Sequence, residues 1–341
     1  MKLSDYDYQL PSELIAQAPI TPRDHSNLMV VSRTDRKITH QHFYDLPKHL
    51  RPGDVMVFND SRVFPARLYG SRRDSNGKVE LLLLRRKAKR QWQALVRPGR
   101  RMREGTVFDL SGSGHTIECE ITGVHSDGSR TVRLSSEEHL DEIGTTPLPP
   151  YIHEPLTDAE RYQTVYSRVK GSVAAPTAGL HFTPELLRDI RSMGVRTAFV
   201  TLHVGWGTFR PIQVEDVTQH DMHTEQWELG KEAAELINSA KREGRRVLVV
   251  GTTAVRLLEH AAQRGQGEPV TPGSGWADIF IYPGYDFRIT DTLLTNFHLP
   301  KSTLLMLVSA FADHELITEA YEEAIQEGYR FYSFGDAMLI V

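Results

Sequence analysis

The run TPELLRDIRSMGVRTAFVTLH, residues 183–203, carries the pattern that decides the fold: a capped helix that leads into an apolar strand. Thr183 is a residue type that caps helix N-termini, and Pro184 suits the first turn because no N–H is needed there. Gly194 is typical of a helix end, and residues 195–203 then read as a buried strand. A helix that leads directly into a buried strand is the repeating unit of an α/β domain.

The same alternation continues towards the C-terminus. Predicted strands are 246–250, 278–282 and 291–295, and predicted helices are 231–243, 254–264, 301–311 and 314–327. Strands that are joined through helices usually run in the same direction. We therefore predict an α/β domain with a largely parallel or mixed sheet.

Residues 65–150 have a different sequence pattern, in which short apolar runs alternate with turn signals. Asn76-Gly77, Pro98-Gly99 and Asp127-Gly128 are dipeptides that favour tight hairpin turns. This spacing predicts an antiparallel barrel or sandwich that is inserted into the α/β domain. The predicted domains are thus a discontinuous α/β domain, residues 1–64 and 151–341, and an inserted β domain, residues 65–150.

Composition narrows the class of protein. The single cysteine, Cys119, excludes an internal disulfide and a cysteine zinc cluster, and it favours a reducing, cytoplasmic environment. The N-terminus lacks the apolar core of a signal peptide, and no apolar run reaches membrane-spanning length, so we expect no membrane association.

Charge is unevenly distributed along the chain. The formal net charge is −4, yet residues 85–103 hold nine basic residues and no acid. Such a segment attracts a polyanion, although a solvated hairpin face is the commoner explanation of a lone charge run.

Unusual residues collect after the predicted strands, where open α/β sheets bind their ligands. Four segments share this position: residues 203–207 (HVGWG), 251–253 (GTT), 282–285 (YPGY) and 296–300 (NFHLP). A second histidine, His181, precedes the helix of the first run. Each segment alone is more often a turn with a helix cap, but four together favour a binding site.

Asp221, His223 and Glu225 occupy alternate positions, so a strand would place all three on one side. A carboxylate beside a histidine raises the pKa of the imidazole and gives a general acid or base. His220 and His223 could instead bind a metal. The His-Glu-x-x-His pattern is missing, so we expect no metal.

Longer motifs extend over nearly the whole chain. They include FNDSRV (58–63), PARL (65–68), PLPPYI (147–152), YQTVY (162–166), AAPTAGLHF (174–182), TLHVGWGTF (201–209) and GTTAVR (251–256), with further runs at 280–285, 294–312 and 329–340. On these motifs the chain resembles the S-adenosylmethionine:tRNA ribosyltransferase-isomerase family of queuosine biosynthesis. The resemblance implies an α/β domain with an inserted β-barrel, which agrees with the pattern of strands and helices.

The resemblance also implies a reaction. The ribosyl part of S-adenosylmethionine, a consumed cosubstrate, is transferred to 7-aminomethyl-7-deazaguanine at the wobble position of tRNA. The product is epoxyqueuosine in tRNA, and adenine and methionine leave. We expect no metal, a tRNA partner for the basic segment, and a monomer in the cytoplasm.

Site residues follow as hypotheses from their place in the strand-end loops. Either His203 or His181 removes the C5′ proton, which the neighbouring sulfonium acidifies, and His223, held by Glu225 or Asp221, carries the second proton. Expected contacts to S-adenosylmethionine are Thr177, Gly179, Gly205, Trp206, Gly251, Thr252, Thr253, Tyr285, Asn296 and His298. Expected contacts to tRNA are Arg62, Arg67, Arg85, Arg86, Lys87, Lys89, Arg90, Arg100 and Arg101. Arg62 and Arg67 could instead hold the methionine carboxylate.

Three other functions deserve a test. An S-adenosylmethionine methyltransferase would release adenosylhomocysteine instead of adenine, and the glycine-rich loop of that class is missing after an N-terminal strand. A non-catalytic tRNA-binding protein would bind without turnover. A metal hydrolase built on His220, His223 and Glu225 would carry metal after purification.

Overall fold

The computed structural model describes residues 1–205, 207, 212, 214–265 and 267–341. The chain forms two compact units. Unit 1 comprises Met1–Arg62, Pro149–Val169 and Ala175–Val341, and unit 2 comprises Val63–Leu148 and Lys170–Ala174. The short segment 170–174 therefore belongs with the inserted unit, although it lies far along the chain.

Strands of the described residues are β1 Asn27–Ser32, β2 Lys37–His42, β3 Val55–Asn59, β4 Ser61–Val63, β5 Arg67–Arg72, β6 Lys78–Ala88, β7 Gln91–Arg97, β8 Val107–Gly112, β9 His115–Val124, β10 Arg130–Leu134, β11 Val169–Ser172, β12 Arg196–Leu202, β13 Glu225–Leu229, β14 Val247–Val250, β15 Gly273–Ala277, β16 Thr292–Asn296 and β17 Ala337–Ile340. Helices are α1 Leu140–Ile143, α2 Pro184–Ser192, α3 Lys231–Arg242, α4 Thr252–Gln263, α5 Thr303–Ala312 and α6 His314–Gln326. Short 3-10 turns include Phe43–His49 and Thr177–His181. None of these helices is long and apolar enough to cross a membrane in the described part of the chain.

Unit 1 is built on a nine-stranded mixed sheet in the order β15-β13-β12-β3-β14-β16-β17-β1-β2. The central strands β12, β3, β14 and β16 are parallel to one another. β13 and β17 run antiparallel to their inner neighbours. Because of these directions, β13 and β17 begin at the edge where the central strands end.

The two faces of this sheet are covered differently. Met56 and Phe58 of β3 point to a face that packs against α2 and the 3-10 turn Phe43–His49. Val55 and Val57 point to the other face because side chains alternate along a strand, and α3 and α4 cover that face. Burying one such side chain fully contributes roughly 1.5–3 kcal/mol, so both faces stabilise the sheet.

Helix α2 follows the predicted pattern. The Thr183 hydroxyl accepts a hydrogen bond from the N–H of Leu186 at 3.1 Å, and Pro184 is the first helical residue. Leu186, Leu187 and Ile190 are buried against the sheet. The cap fixes where the helix starts, and the apolar side chains fix which face turns inward.

Unit 2 contains a closed antiparallel barrel in the order β10-β7-β6-β5-β8-β9. Position 70 of β5 requires glycine, since an added Cβ would lie 1.9 Å from the carbonyl oxygen of Asp109. Closure leaves the barrel without a free edge strand. The predicted fold class, an α/β domain with a mixed sheet and an antiparallel barrel, is confirmed.

One predicted strand was wrong, and one observed strand was missed. Residues 278–282 do not form a strand, and the neighbouring strand is β15, whose sequence GSGWA has the glycines of a loop. Ile279 and Ile281 are buried because they pack inward from an irregular segment, and the carbonyl of Ile279 accepts a hydrogen bond from Arg256. The apolar side chains of this segment therefore resembled those of a strand in the sequence, although the backbone there is irregular.

Candidate active site

Polar side chains line the edge of the sheet in unit 1 at which the central strands end. Six neighbouring strands meet this edge: β13, β12, β3, β14, β16 and β17. In that order, the residues at or next to the edge are Glu225, His203, Asn59, Gly251-Thr252-Thr253, Asn296 and Asp336. This is the position predicted for the binding site. We call it the carboxyl edge.

Asn59 connects the middle of the carboxyl edge. Its side-chain nitrogen donates to the carbonyl of Leu202 at 2.9 Å and to the Thr253 hydroxyl at 3.3 Å. Its side-chain oxygen accepts from the N–H of Leu202 at 3.1 Å. Asn59 therefore fixes the end of β12 relative to the start of α4.

Gly251 starts α4 with a φ of 87°, a conformation that glycine adopts without strain. Its N–H donates to the carbonyl of Leu294 at 2.8 Å, which ties the turn to β16. Thr252 is buried as the first residue of α4. The GTT segment thus serves the packing of this turn, and its contact with a ligand stays a prediction.

His181 is buried and makes hydrogen bonds through both ring nitrogens. Nδ1 lies 2.8 Å from the Ser26 hydroxyl, and Nε2 lies 3.3 Å from the side-chain nitrogen of Asn296. Because Asn296 donates to Nε2, the proton of the neutral ring sits at Nδ1 and is donated to Ser26. Burial lowers the pKa of His181 to about 3, so the ring stays neutral at physiological pH.

The amide of Asn296 is fully engaged within the protein. Its oxygen accepts from the Thr177 hydroxyl at 2.9 Å, and its nitrogen also reaches the carbonyl of Asp336 at 3.4 Å. Asn296 is buried. The amide holds His181 and the turn at Thr177 in place, and the predicted contacts of Asn296 and Thr177 with S-adenosylmethionine stay predictions.

Gly179 is required by a neighbouring side chain. An added Cβ would lie 1.9 Å from the Tyr166 hydroxyl and 2.9 Å from Cγ2 of Thr164. Glycine here lets Tyr166 pack against the turn before His181. The sequence motif AAPTAGLHF is explained at this position by packing.

Glu225 forms a buried charge cluster at the outer part of the carboxyl edge. A short ion pair joins it to Arg256 of α4, with side-chain exposures of 0% and 3%. The N–H of Gly205 donates to its Oε1 at 3.0 Å. Burial raises the pKa of this carboxyl, but Arg256, His223 and the N–H of Gly205 together lower it to about 2, so Glu225 is ionised.

His223 lies beside this cluster. Its Nε2 is 3.5 Å from Oε1 of Glu225, and the imidazole is partly exposed. Gly207 packs against the ring, since an added Cβ there would lie 2.6 Å from Cγ of His223. The structure thus joins His223 to Glu225. Residue 221 precedes β13 and is exposed, so the same-side argument from a strand does not hold for Asp221.

His203 follows β12 and is half-buried. Burial lowers the pKa of the imidazole below its usual 6.5, while the nearby carboxylates of Asp60 and Glu228 act in the opposite direction. Its Nδ1 is buried and has no hydrogen-bond partner among the described residues. A neutral imidazole with an unengaged nitrogen is the form that accepts a proton.

His298 lies on the other face of the sheet from Asn296. Its Nε2 is 2.8 Å from the hydroxyl of Thr295, and side chains of Thr295 and Asn296 alternate. Burial lowers the pKa of His298 to about 3. The structure does not bring this histidine together with His181, and its predicted ligand contact stays a prediction.

Tyr285 is held away from the start of α4. Its hydroxyl reaches Glu259 at 3.4 Å, seven residues beyond Thr252 and therefore about 10 Å along the helix. The buried carboxylate of Glu259 also accepts the N–H of Thr290 at 3.0 Å. Tyr285 belongs to a loop that Glu259 anchors. Trp206, the other predicted aromatic contact, lies outside the described residues.

Comparison with known proteins now decides the family. A family model described as "Queuosine biosynthesis protein" matches residues 3–340. The chain belongs to this family. The resemblance predicted from the sequence motifs is confirmed.

Relatives match from end to end. S-adenosylmethionine:tRNA ribosyltransferase-isomerases of Dehalococcoides mccartyi and Desulforamulus reducens are 52% and 55% identical to this chain, and each match covers 100% of both proteins. A solved structure, S-adenosylmethionine tRNA ribosyltransferase from Thermotoga maritima, is 37% identical with a TM-score of 0.58 and covers 99% of this chain and 100% of that one. The similarity thus extends over both units.

In the barrel unit, the basic segment lies on β6, β7 and the turn Gly99–Arg101. The predicted tRNA-binding side chains Arg85, Arg86, Lys87, Lys89, Arg90, Arg100 and Arg101 are all exposed. Arg86 is already paired with Glu137 at 2.5 Å. In contrast, Lys89, Arg100 and Arg101 form no ion pair with a described residue.

Arg62 and Arg67 are engaged within their own units. Arg62 of unit 1 forms a short ion pair with Glu160 and donates to the Ser167 hydroxyl at 2.9 Å. Arg67 of unit 2 lies 3.3 Å from Glu80. Their predicted tRNA contacts stay predictions.

Among the described residues, one group of three side chains could hold a metal ion, and it lies in the barrel unit. Ligand atoms of His115, His139 and Glu142 are all within 4.8 Å of one another. Both imidazoles bond Glu142 at 2.9 Å. No sequence pattern indicates this group, because the two histidines belong to segments that only the fold brings together.

Several residues of the carboxyl edge were missed by the sequence reasoning. Asn59, Arg256 and Ser26 hold the predicted residues in place without having been predicted themselves. Asn59-Asp60 at the end of an apolar strand was a usable signal, whereas the pairing of Arg256 with Glu225 depends on the fold.

Proposed function

We propose that this chain is an S-adenosylmethionine:tRNA ribosyltransferase-isomerase. It transfers and isomerises the ribosyl part of S-adenosylmethionine onto 7-aminomethyl-7-deazaguanine at the wobble position of tRNA and releases adenine and methionine. The observation that carries this proposal is the 52–55% identity, over the full length, to proteins that bear this name. S-adenosylmethionine is consumed as a cosubstrate, and the enzyme acts in the cytoplasm, where its tRNA substrate is.

His203 is the base that removes the C5′ proton. The alternative, His181, has both ring nitrogens occupied by Ser26 and Asn296, whereas Nδ1 of His203 has no partner among the described residues. Burial keeps His203 neutral, which is the protonation state a base requires. His181 is therefore a positioning residue that orders the turn after Thr177.

His223 and Glu225 carry the second proton, which departing adenine needs. Glu225 is held ionised by Arg256 and lies 3.5 Å from Nε2 of His223. The carboxylate orients the imidazole, and an imidazole held in this way can pass a proton to a leaving nitrogen. A positioned acid or base typically accelerates such a step about 10²–10⁴-fold.

The barrel unit binds the tRNA backbone through the basic segment. Exposed lysine and arginine side chains at positions 89, 100 and 101 are free of ion pairs to described residues, so they are available to phosphates. Phosphate contacts position a nucleic acid and depend strongly on salt, without reading its sequence.

One incubation tests the function. Purified protein is mixed with S-adenosylmethionine and tRNA that bears 7-aminomethyl-7-deazaguanine, and the digested nucleosides are analysed by mass spectrometry. We expect epoxyqueuosine in the tRNA and one adenine released per nucleoside formed. Adenosylhomocysteine, or tRNA binding without any product, would contradict the proposal.

A further inference from the structure

A cavity of about 820 Å³ opens beside β12 in unit 1, and no role has yet been given to it. Of the residues of β12, Thr201 and Leu202 are the ones that pair with β13, so the earlier part of β12 is left open on that side among the described residues. The cavity is lined by the open part of β12, by the loop around Tyr166 and by the start of α3. It adjoins the carboxyl edge, because its lining residues Asp60 and Thr201 lie where β3 and β12 end, and Thr201 precedes His203 by two residues.

A buried carboxylate holds one cation at the wall of this cavity. Asp60 is 1% exposed, and its Oδ1 accepts from the Thr201 hydroxyl at 2.7 Å. Its Oδ2 accepts from Nε and Nη2 of Arg168 at 3.2 and 2.8 Å. The Arg168 side chain is nevertheless 75% exposed, so this pair adds little to stability. Its effect is to fix the direction of a guanidinium whose Nη1 is left for another acceptor.

The other charges of the cavity are uncompensated. Glu228, Lys231 and Glu232 line it, are exposed, and form no ion pair with any described residue. The rings of Tyr166 and Phe199, with centroids 5.7 Å apart, supply an aromatic wall. The cavity therefore offers cations, anions and aromatic rings within one space.

We propose that this cavity binds the methionine end of S-adenosylmethionine, an inference that rests on the proposed function. Arg168 receives the α-carboxylate through Nη1, in a charge-assisted hydrogen bond from a guanidinium that Asp60 holds in place. Glu228 and Glu232 face the α-ammonium, and the aromatic wall faces the sulfonium. Binding at this place directs the carbon next to the sulfonium towards His203. Asp60 is a positioning residue that acts through Arg168.

The test compares two ligands on two variants by isothermal titration calorimetry without tRNA. The ligands are S-adenosylmethionine and its analogue that lacks the α-carboxylate. The variants are Arg168→Ala and, as a matched control, Arg188→Ala, which removes an exposed arginine of α2 that is paired with Glu185. A charge-assisted hydrogen bond predicts that Arg168→Ala binds S-adenosylmethionine about 10- to 100-fold more weakly.

The decarboxylated analogue shows whether Arg168 acts on the α-carboxylate. We expect Arg168→Ala to bind the decarboxylated analogue as the unmodified protein does, and Arg188→Ala to bind both ligands normally. Equal loss for both ligands, or no loss for either, overturns the assignment of Arg168 while the proposed function stands. If the unmodified protein does not bind S-adenosylmethionine alone, the same titrations are made with tRNA that carries guanine at the wobble position, and the same two results support or overturn the assignment. The proposed function is overturned separately, by the absence of epoxyqueuosine in the incubation described above. Arg168→Lys should recover part of the lost affinity, because an ammonium group is also a cation that can donate to the carboxylate.

Discussion

The carboxyl edge of unit 1 and the basic segment of unit 2 use charge in opposite ways. At the carboxyl edge, Glu225 and Arg256 are buried and compensate each other. In the basic segment, Arg100 and Arg101 are exposed, and neither pairs with a described carboxylate. Buried, compensated charge fixes geometry for a small substrate, whereas exposed charge attracts a polyanion over a distance. Changes at the edge should therefore alter rate and folding, and changes in the basic segment should alter tRNA affinity and its salt dependence.

The largest effect is expected for His203→Ala. Loss of the proposed base should slow a single turnover by about 10²–10⁴-fold, with S-adenosylmethionine still bound. Rapid-quench measurement of adenine release gives the rate. The control is His42→Ala, which removes an exposed histidine of β2. A rate within twofold of the unmodified protein would remove His203 from the mechanism.

Arg256→Ala should cause the largest loss of stability. The change leaves the carboxylate of Glu225 buried without its partner, which typically costs about 3–5 kcal/mol in the free energy of unfolding. Urea denaturation measures it. Arg242→Ala removes an arginine that pairs only with exposed carboxylates, so it should lower the stability far less than Arg256→Ala does.

A double variant tests whether the unpaired buried charge of Glu225 causes the loss of stability. Glu225→Gln added to Arg256→Ala should recover part of the stability, because no charge is then left buried. Equal losses for Arg256→Ala and Arg242→Ala would mean that the edge is not a distinct charged interior.

Stability should rise with pH because buried histidines stay neutral in the folded chain. The pKa of His298 is about 3 in the folded protein and near 6.5 when unfolded, so the unfolded chain binds more protons between these values. Stability contributed by this group is present above pH 6.5 and is lost as the pH falls towards 3. His298→Asn should flatten the slope between pH 4 and 6 by up to about 1.4 kcal/mol per pH unit.

The matched control for this slope is Arg100→Gln. Arginine keeps its charge over the whole range, so this variant of the basic segment should leave the slope unchanged. A slope that is the same in His298→Asn and in the unmodified protein would mean that His298 titrates alike in both states.

The smallest effect on chemistry is expected for Lys89→Gln, Arg100→Gln and Arg101→Gln combined. The slope of log affinity for tRNA against log salt should fall by about 2–3, while S-adenosylmethionine binding is unaffected. Filter binding at several salt concentrations measures it. Arg86→Gln should do less, because Arg86 already pairs with Glu137. Parallel losses of tRNA and S-adenosylmethionine binding would point to a folding defect.

The sequence predicted much of the fold because its signals are local. Thr183, Pro184 and Gly194 mark helix α2 through capping and backbone preference, and the turn dipeptides mark the barrel hairpins. β15 was missed because its glycines resemble a loop and its pairing with β13 is set by the fold.

The sequence was sufficient to locate the candidate site, but it did not show which role each residue has. Histidines after strands indicated the carboxyl edge. The choice between His181 and His203 needed the partners Ser26 and Asn296, which lie far away in the chain. The cavity beside β12 depends on where β13 stops pairing, and no residue pattern records that.

The most direct test of the account measures adenine release in a single turnover at saturating S-adenosylmethionine and tRNA. Three proteins are compared: the unmodified chain, His203→Ala, and the combined change of Lys89, Arg100 and Arg101 to Gln. The account predicts that saturating tRNA restores the rate of the combined variant and that His203→Ala stays about 10²–10⁴-fold slow. A normal rate for His203→Ala, or a combined variant that stays slow at saturation, would contradict the assignment of chemistry to the carboxyl edge and of tRNA binding to the basic segment.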